Sequence, residues 1–465
     1  MPHQPDIVLI LTDQQRYDQV GYASGGHFET PNLDRLAAAG TIFDTAYSAS
    51  TACIPARVSL MTGLAAHRVP VEPGTDYNLR QGTPTLARTL RSAGYQTALV
   101  GKMHFWPPNG DHGFDSMRTC EHLFPADFVD GRVADPDAAD DYHRWLRDQG
   151  VVDWRSLPPR KPSGDGGTAE PLFGFDADLH PTSWVAREAH GVLDRSDPQR
   201  PLLLIVSFPH PHEPHNPPAP YDTLFDPADS VLPTDGFEAN EQLSAPFLEA
   251  MADQGGPWSA NRVPSPGWLR GSLAVTRGLI RQIDDAMGPL LDRLDLDDTL
   301  VVFSSDHGDY AGHRGLVRKI PWIPFEDVAR VPLVMAGPGG RPGQRLVAPV
   351  QNSDFALTCL DYAGLDVDTS VYESTSLRGL LDGRQAEDPD RVLFLATSMG
   401  WNGVRRGRYK WIGRRFLYFP ARALFDLEAD PGETRDLATE PAGSAIADEL
   451  EAQLDEELAR PDPWA

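Results

Sequence analysis

Six stretches of this chain are apolar almost without interruption: Asp6–Thr12, Thr97–Gly101, Pro201–Phe208, Thr299–Ser305, Val331–Ala336 and Val392–Ala396. A strand with one wet face alternates apolar and polar residues, so runs without alternation require cover on both faces. Helical patterns between the runs supply that cover. The combination predicts an α/β fold in which a mostly parallel central sheet is sandwiched by helices. Thr30-Pro31 and Thr83-Pro84 each offer an N-cap followed by proline, Gly40 and Gly94 offer the stops, and Ser272–Leu294 reads as a longer amphipathic helix before the Thr299 strand.

At 465 residues, 40% hydrophobic and 23% charged, the chain has material for one large core and a smaller appendage. After about residue 385 the texture changes to short strand-like pieces, Gly403–Ile412 and Phe416–Asp426, and then to a helix with Ile446, Leu450, Leu454 and Leu458 at four-residue spacing. The expected division is an α/β domain over 1–385 and a small C-terminal α+β subdomain over 386–465, with a small antiparallel sheet and a terminal helix. Three stretches rich in Pro, Gly and Asp, Pro158–Pro171, Pro214–Asp235 and Asp253–Gly267, read as long surface loops of the kind that carry specificity.

A formal net charge of −26 disfavours nucleic acid or an anionic membrane surface as a partner. No segment approaches the ~18 uninterrupted apolar residues of a membrane span. Met1–Asp6 runs straight into a strand without the pattern of a signal peptide, so a cytoplasmic location is the expectation. Cys53, Cys120 and Cys359 are odd in number and far apart, which argues against a disulfide framework and leaves Cys53 free for other chemistry. An anionic substrate would need a local positive pocket in so acidic a chain. The only lysines are Lys102, Lys161, Lys319 and Lys410.

In open α/β sheets ligands bind beyond the carboxyl ends of the strands. Here Asp13 and Gln14 follow the first strand, Lys102 and His104 the second, His210 and His212 the third, Asp306 and His307 the fourth. Asp13, Asp306 and the amide oxygen of Gln14 form a mostly hard-oxygen set suited to Ca²⁺ or Mg²⁺, and His307 adds a nitrogen that leaves Mn²⁺ or Zn²⁺ open. Lys102, Lys319 and Arg57 would offset charge developing on a transferred anionic group, and His104 and His212 can exchange protons near neutral pH. His210 and His215 read as members of a proline-rich loop, and Trp106, Trp322 and Trp401 as packing residues.

Cys53 lies in Cys53-Ile54-Pro55-Ala56-Arg57. Pro55 suits the first turn of a helix and Gly63 its left-handed end, which puts Cys53 at a helix N-terminus, where free N–H groups favour an anion, with Arg57 one turn on. That Cys-x-Pro-x-Arg pentad resembles the motif in which sulfatases have a cysteine oxidised to formylglycine. With Thr12–Arg16, Thr30–Leu36, Gly101–His104, His112–Asp115, Pro211–Pro214, Ser305–Asp309, Arg330–Leu333 and Leu424–Glu433, the chain resembles the formylglycine-dependent sulfatases of the alkaline-phosphatase superfamily over most of its length.

The resemblance implies an alkaline-phosphatase-like fold and hydrolysis of a small sulfate ester. It further implies a divalent metal, calcium first, bound by Asp13, Gln14, Asp306, His307 and an oxygen of the matured Cys53, which a formylglycine-generating maturase would have to supply. One hydroxyl of the hydrated aldehyde would attack sulfur while His212, helped by Lys319, protonates the leaving alcohol. His104 would then deprotonate the second hydroxyl, which expels sulfate. Two departures bear on this. Gln14 stands where many relatives have a second aspartate; the substitution removes a negative charge and resembles the branch that includes phosphonate and phosphodiester hydrolases. Arg314 stands where a histidine often occurs, and extra residues precede Glu326. The alternatives are therefore a phosphonate or phosphodiester hydrolase using the same site, or a silent anion-binding module in which Cys53 stays a thiol.

Overall fold

The computed structural model describes residues 4–69, 71, 79–105, 110–121, 140–151, 159–160, 172–174, 176–236, 240, 243, 245–252, 262–397, 400–414 and 421–461. Its centre is an eight-stranded sheet built from β1 (Asp6–Asp13), β2 (Thr41–Phe43), β3 (Gln96–Gly101), β4 (Ser116–Thr119), β5 (Leu202–Pro211), β6 (Thr299–Ser305), β7 (Leu333–Ala336) and β8 (Gln344–Leu346). The spatial order is β8-β2-β7-β6-β1-β5-β3-β4. β1 lies parallel between β5 and β6, β3 parallel between β5 and β4, and β8 parallel to β2; β7 runs against both of its neighbours.

The unbroken apolar runs have the cause that was expected. Along β1, Ile7, Leu9 and Leu11 enter one core with Val58 and Leu60 of α2 (Cys53–Thr62), Leu86 of α3 (Leu86–Ser92) and Phe355 of α6 (Asp354–Tyr362). Val8 and Ile10 point the other way, into a core with Leu33 of α1 (Pro31–Ala39), Trp184 of α4 (Pro181–Arg195) and Met287 of α5 (Pro266–Leu291). Each such fully buried side chain contributes about 1.5–3 kcal/mol. The central strands thereby form a rigid platform whose exits hold their positions.

Several expectations need correction. The Val392–Ala396 run belongs to a second sheet, antiparallel and four-stranded, of β9 (Leu393–Ala396), β10 (Trp401–Arg406), β11 (Tyr409–Arg414) and β12 (Ala421–Asp426). It lacks alternation because this sheet is also covered on both faces: Leu393 and Leu395 pack on Tyr47 and Ala329, while Phe394 faces the core made with Leu450 and Leu454 of α7 (Pro441–Leu458). α3 starts at Leu86 because the Thr85 side chain, not Thr83, accepts the Arg88 N–H. α5 starts six residues before the expected Ser272, with Ser265 accepting the Trp268 N–H; its first residues are exposed and carry no amphipathic pattern. Trp106 lies outside the described residues, as do Pro158–Pro171 apart from 159–160 and Asp253–Gly267 apart from 262–267. Among the described residues, no helix is long and apolar enough to cross a membrane.

The second sheet is tied to the body by buried charge. Lys410 of β11 is fully buried, with Nζ 2.9 Å from both Glu326 Oε1 and Glu433 Oε1, and Tyr47 donates to Glu326 at 2.9 Å. Arg314 lies here too, 3.6 Å over the Phe325 ring and donating to Asn240 Oδ1 and to the backbone oxygens of Gly432 and Glu433. Burial pushes the Glu433 carboxyl up to about 7 despite Lys410. Replacing Lys410 with Met leaves two carboxylates facing each other in the interior and should cost about 3–5 kcal/mol in urea unfolding. Adding Glu326→Gln and Glu433→Gln removes the stranded charges and should recover most of that loss.

Candidate active site

Parallel register brings the strand exits together. Thr12 of β1 is opposite Ser305 of β6, Leu11 is opposite Ser207 of β5, and Ser207 is opposite Gly101 of β3. Asp13, Asp306, His212 and Lys102 therefore leave the sheet side by side. Gly101 has φ +103°, and a Cβ there would lie 1.8 Å from the Ser207 carbonyl oxygen, the same oxygen that accepts the Lys102 N–H at 2.9 Å. Only glycine fits. From outside the sheet α2 presents Cys53 as its first residue, with Ala52 at the N-cap and Gly63 closing the helix at φ +74°.

Arg57 joins these pieces. Its Nε donates to Asp306 Oδ2 at 2.8 Å, Nη2 to Asp13 Oδ2 at 3.1 Å, and Nη1 both to Ser207 Oγ at 2.9 Å and to the Lys102 carbonyl at 2.8 Å. Four of the five guanidinium N–H groups are thus committed to the scaffold. Lys102 Nζ is 2.5 Å from Asp13 Oδ2. Asp306 Oδ1 accepts the backbone N–H groups of Gln14 at 3.0 Å and His307 at 2.9 Å.

The Cys53 sulfur lies 3.1 Å from His307 Nε2 and 3.9 Å from Asp13 Oδ1. His307 Nδ1 donates to the Gly308 carbonyl at 2.9 Å, which aims Nε2 at the sulfur. One donor atom from each of Asp13, Cys53, Asp306 and His307 falls within 4.8 Å of the others, and all four residues are buried. Two carboxylates and an imidazole with its second nitrogen anchored match the donor set of a divalent ion. Burial would raise the Asp13 carboxyl, but Lys102, His212, Arg57 and Lys319 hold it well below the usual range. Burial and Asp13 work to raise the Cys53 thiol, yet Lys319, Lys102 and His307 bring it below its ordinary value. Burial lowers His307, whereas Asp306 and Cys53 push it up to about 9.

A second polar group adjoins the first. Lys319 Nζ donates to His212 Nε2 at 2.8 Å and to Gln14 Oε1 at 3.0 Å. The Gln14 amide nitrogen donates to Glu213 at 3.0 Å and to Asp309 at 2.6 Å. A carboxylate at position 14 would face two others, so the amide explains itself locally. Its oxygen, expected among the metal ligands, is turned to Lys319. Burial lowers His212 to about 4, and its Nδ1 donates to the Glu213 carbonyl at 2.8 Å.

His104 follows Lys102 in a left-handed turn, φ +60°, with its N–H on Glu121 Oε2 at 2.6 Å. His210 is buried and stacked 4.7 Å from His180. Trp401 is core, 4.7 Å from Phe247. Trp322 is half-buried, and its carbonyl accepts the Thr51 hydroxyl at 2.7 Å, two residues before Cys53. Sequence reasoning gave no role to Ser207, Glu213, Asp309 or Glu121. Glu213 and Asp309 adjoin the strand-end motifs and were open to notice; Ser207 lies inside an apolar run, and Glu121 has no local signal.

The sulfatase family profile matches residues 5–365, and that of the N-sulphoglucosamine sulphohydrolase C-terminal region matches residues 322–460. The chain belongs to the sulfatase family. This sulfatase is 31% identical to the arylsulfatase of Clostridium perfringens, over 98% of this chain and 94% of the relative. It is also 31% identical to the choline-sulfatase of Rhizobium meliloti, over 95% and 83%. In fold it resembles the phosphonate monoester hydrolase of Silicibacter pomeroyi, with a TM-score of 0.80 at 24% identity and coverage of 98% and 95%.

Two outcomes test the geometry of the sulfatase site. Arg57→Lys keeps the charge but loses the fork that joins Asp13, Asp306 and Ser207, and should cost about 3–5 kcal/mol in urea unfolding. His210 is held down to about 3, mainly by burial and then by His215 and His212, so it stays neutral in the folded protein while the unfolded chain takes up a proton below about 6.5. The unfolded state binds more protons across that window, so this residue's contribution to stability is lost as pH falls. In His210→Asn the slope of stability against pH between 4 and 6 should be shallower by up to about 1.4 kcal/mol per pH unit.

Proposed function

We propose that this sulfatase hydrolyses a sulfate monoester to an alcohol and inorganic sulfate, using formylglycine made from Cys53 by a maturase and a divalent ion, calcium first. The observation that carries the reading is the position of Cys53: buried at the start of α2, 3.1 Å from His307 Nε2, in one four-residue cluster with Asp13, Asp306 and His307. Asp13, Asp306 and His307 would hold the ion, and Gln14 Oε1 would join them only by leaving Lys319. The hydrated aldehyde and the ion would supply a nucleophilic hydroxyl and Lewis acidity, respectively.

The remaining residues bind charge and move protons. Lys102 and Lys319 present two buried ammonium groups to the sulfuryl oxygens, and burial in a low dielectric strengthens their pull on charge that grows at those oxygens. Arg57 has most of its donors on the scaffold and acts chiefly by positioning Asp13, Asp306 and the Lys102 backbone. The leaving oxygen takes its proton from the Lys319–His212 pair. His212 enters neutral with Lys319 as its donor, so the pair delivers a proton from the lysine side. His104 would accept the proton of the second hydroxyl, which releases sulfate and restores the aldehyde.

The arylsulfatase and choline-sulfatase relatives support a sulfate ester as substrate. A phosphonate ester is the competing substrate, favoured by the neutral Gln14. After co-expression with a maturase, the peptide containing residue 53 should be ~18 Da lighter than its thiol form. The same protein should turn over 4-nitrophenyl sulfate with a higher kcat/KM than 4-nitrophenyl phenylphosphonate. Cys53→Ala should lower turnover by roughly three orders of magnitude or more, and chelation should abolish activity until Ca²⁺ is restored. An unchanged thiol mass, or preference for the phosphonate, would overturn the reading.

A further inference from the structure

Two clefts beside the catalytic cluster share a wall. The inner one is bordered by Gln14, Asp309 and Arg318, and the outer one, of ≈ 330 Å³, by His27, Val231 and Arg277; Gln19, Leu273 and Ala311 line both. The common wall is one face of α5, where Leu269, Leu273, Thr276 and Arg277 recur at helical spacing. The opposite wall is the Pro214–Asp235 segment, and it is fastened down. The Tyr221 hydroxyl donates to Asp285 at 3.0 Å, Arg270 donates to the Ser230 carbonyl at 2.5 Å, and a Cβ at Gly278 would lie 2.2 Å from the Tyr221 backbone carbonyl oxygen. The outer cleft is therefore a fixed cavity, and it adjoins the narrower inner one, of ≈ 20 Å³, at Gln19, Leu273 and Ala311.

Arg277 is the unusual residue in it. Its guanidinium lies 4.1 Å over the Phe225 ring, and its Nε is buried with no hydrogen-bond partner among the described residues. No carboxylate among the described residues stands within ion-pair distance. The two nearest in the electrostatic sense are Glu29 and Asp229, and Glu29 is held by Arg281 at 3.1 Å. The other arginine of the cleft, Arg16, is matched by Asp18 at 2.8 Å and Asp327 at 2.7 Å, and His313 by Asp235 at 2.8 Å. Asp229 lines the same cleft without reaching ion-pair distance of Arg277, so this half-buried guanidinium has no direct carboxylate partner among the described residues. Desolvating a cation without a partner costs free energy, which an incoming anion offsets. A planar guanidinium fork suits the paired oxygens of a carboxylate or sulfate.

We propose that Arg277 receives a second anionic group carried on the leaving-group side of the substrate, so that the preferred substrates are sulfate esters bearing a further carboxylate or sulfate. This deepens the proposed hydrolysis and rests on it. The inner cleft reaches Gln14, whose amide oxygen accepts from Lys319 at 3.0 Å, and the Arg277 end of the outer cleft takes the distal charge.

The test uses alkanediol bis-sulfates of two to eight carbons, each compared with the mono-sulfate of the same length, as inhibitors of 4-nitrophenyl sulfate turnover. At some length the bis-sulfate should bind roughly fivefold or more tightly than its mono-sulfate. That ratio should fall to near one in Arg277→Gln and be partly kept in Arg277→Lys. Because the readout is a ratio within each protein, a general effect of the substitution cancels. The proposal is overturned if no length gives an advantage, or if the advantage survives in Arg277→Gln. A free anion in the cleft would show as non-competitive inhibition by inorganic sulfate, lost in Arg277→Gln, without any bis-sulfate advantage; that result also overturns it. Failure of the matured protein to turn over 4-nitrophenyl sulfate is a separate outcome that counts against the hydrolysis, and calorimetry with the same bis-sulfates then reads Arg277 alone.

Discussion

Arg57 holds two buried carboxylates that would otherwise repel each other across neighbouring parallel strands. Asp13 and Asp306 leave β1 and β6 at the same level because Thr12 and Ser305 are in register, and Lys102, at the exit of β3, reaches Asp13 alone of the two. One guanidinium on α2 bonds both, and through Ser207 and the Lys102 carbonyl it also fixes β5 and the turn after β3. The residue that sets the strand exits thus comes from the same helix that carries Cys53, four positions along. Nucleophile precursor and ligand set are positioned by a single rigid piece. Within a low-dielectric interior such a network holds only if every member is present.

The site divides its labour between two groups of charges. Asp13, Asp306, His307 and Cys53 face one another at the heart of the sheet edge, while Lys319, His212 and Gln14 form the border towards the clefts. Gln14 is the hinge between them: its backbone serves the first group, on Asp306, and its amide serves the second. Where a carboxylate would have added negative charge beside Glu213 and Asp309, the amide donates to both. The departure from the commoner aspartate is matched by the neighbours it meets.

Much of this was legible in the chain. The central strands announced themselves by apolar runs without alternation, and the strand-end motifs delivered Asp13, Lys102, His212 and Asp306 to one edge as expected. What stayed hidden has a physical reason in each case. The short strands Thr41–Phe43, Ser116–Thr119 and Gln344–Leu346, towards the two margins of the sheet, have too few residues to display a period. The Val392–Ala396 run reported burial on two faces correctly but could not report which sheet supplied it. Arg57 looked like a ligand for an anion, since a sequence shows a charge but not the carboxylates already around it. Arg277 sat unremarked in an amphipathic helix, because a missing counterion is a property of three-dimensional neighbours.

Gly101 has a consequence for how this protein can change. The strand exit there comes so near the Ser207 backbone that any methyl group would force β3 and β5 apart, and the displacement would be felt first by the Lys102 ammonium on Asp13. Positions 101 and 207 are therefore coupled through empty space rather than through a bond. A library that randomises the lysine turn while sparing that gap explores new chemistry on an intact frame. One that fills the gap alters the charge balance at a carboxylate it never mutated.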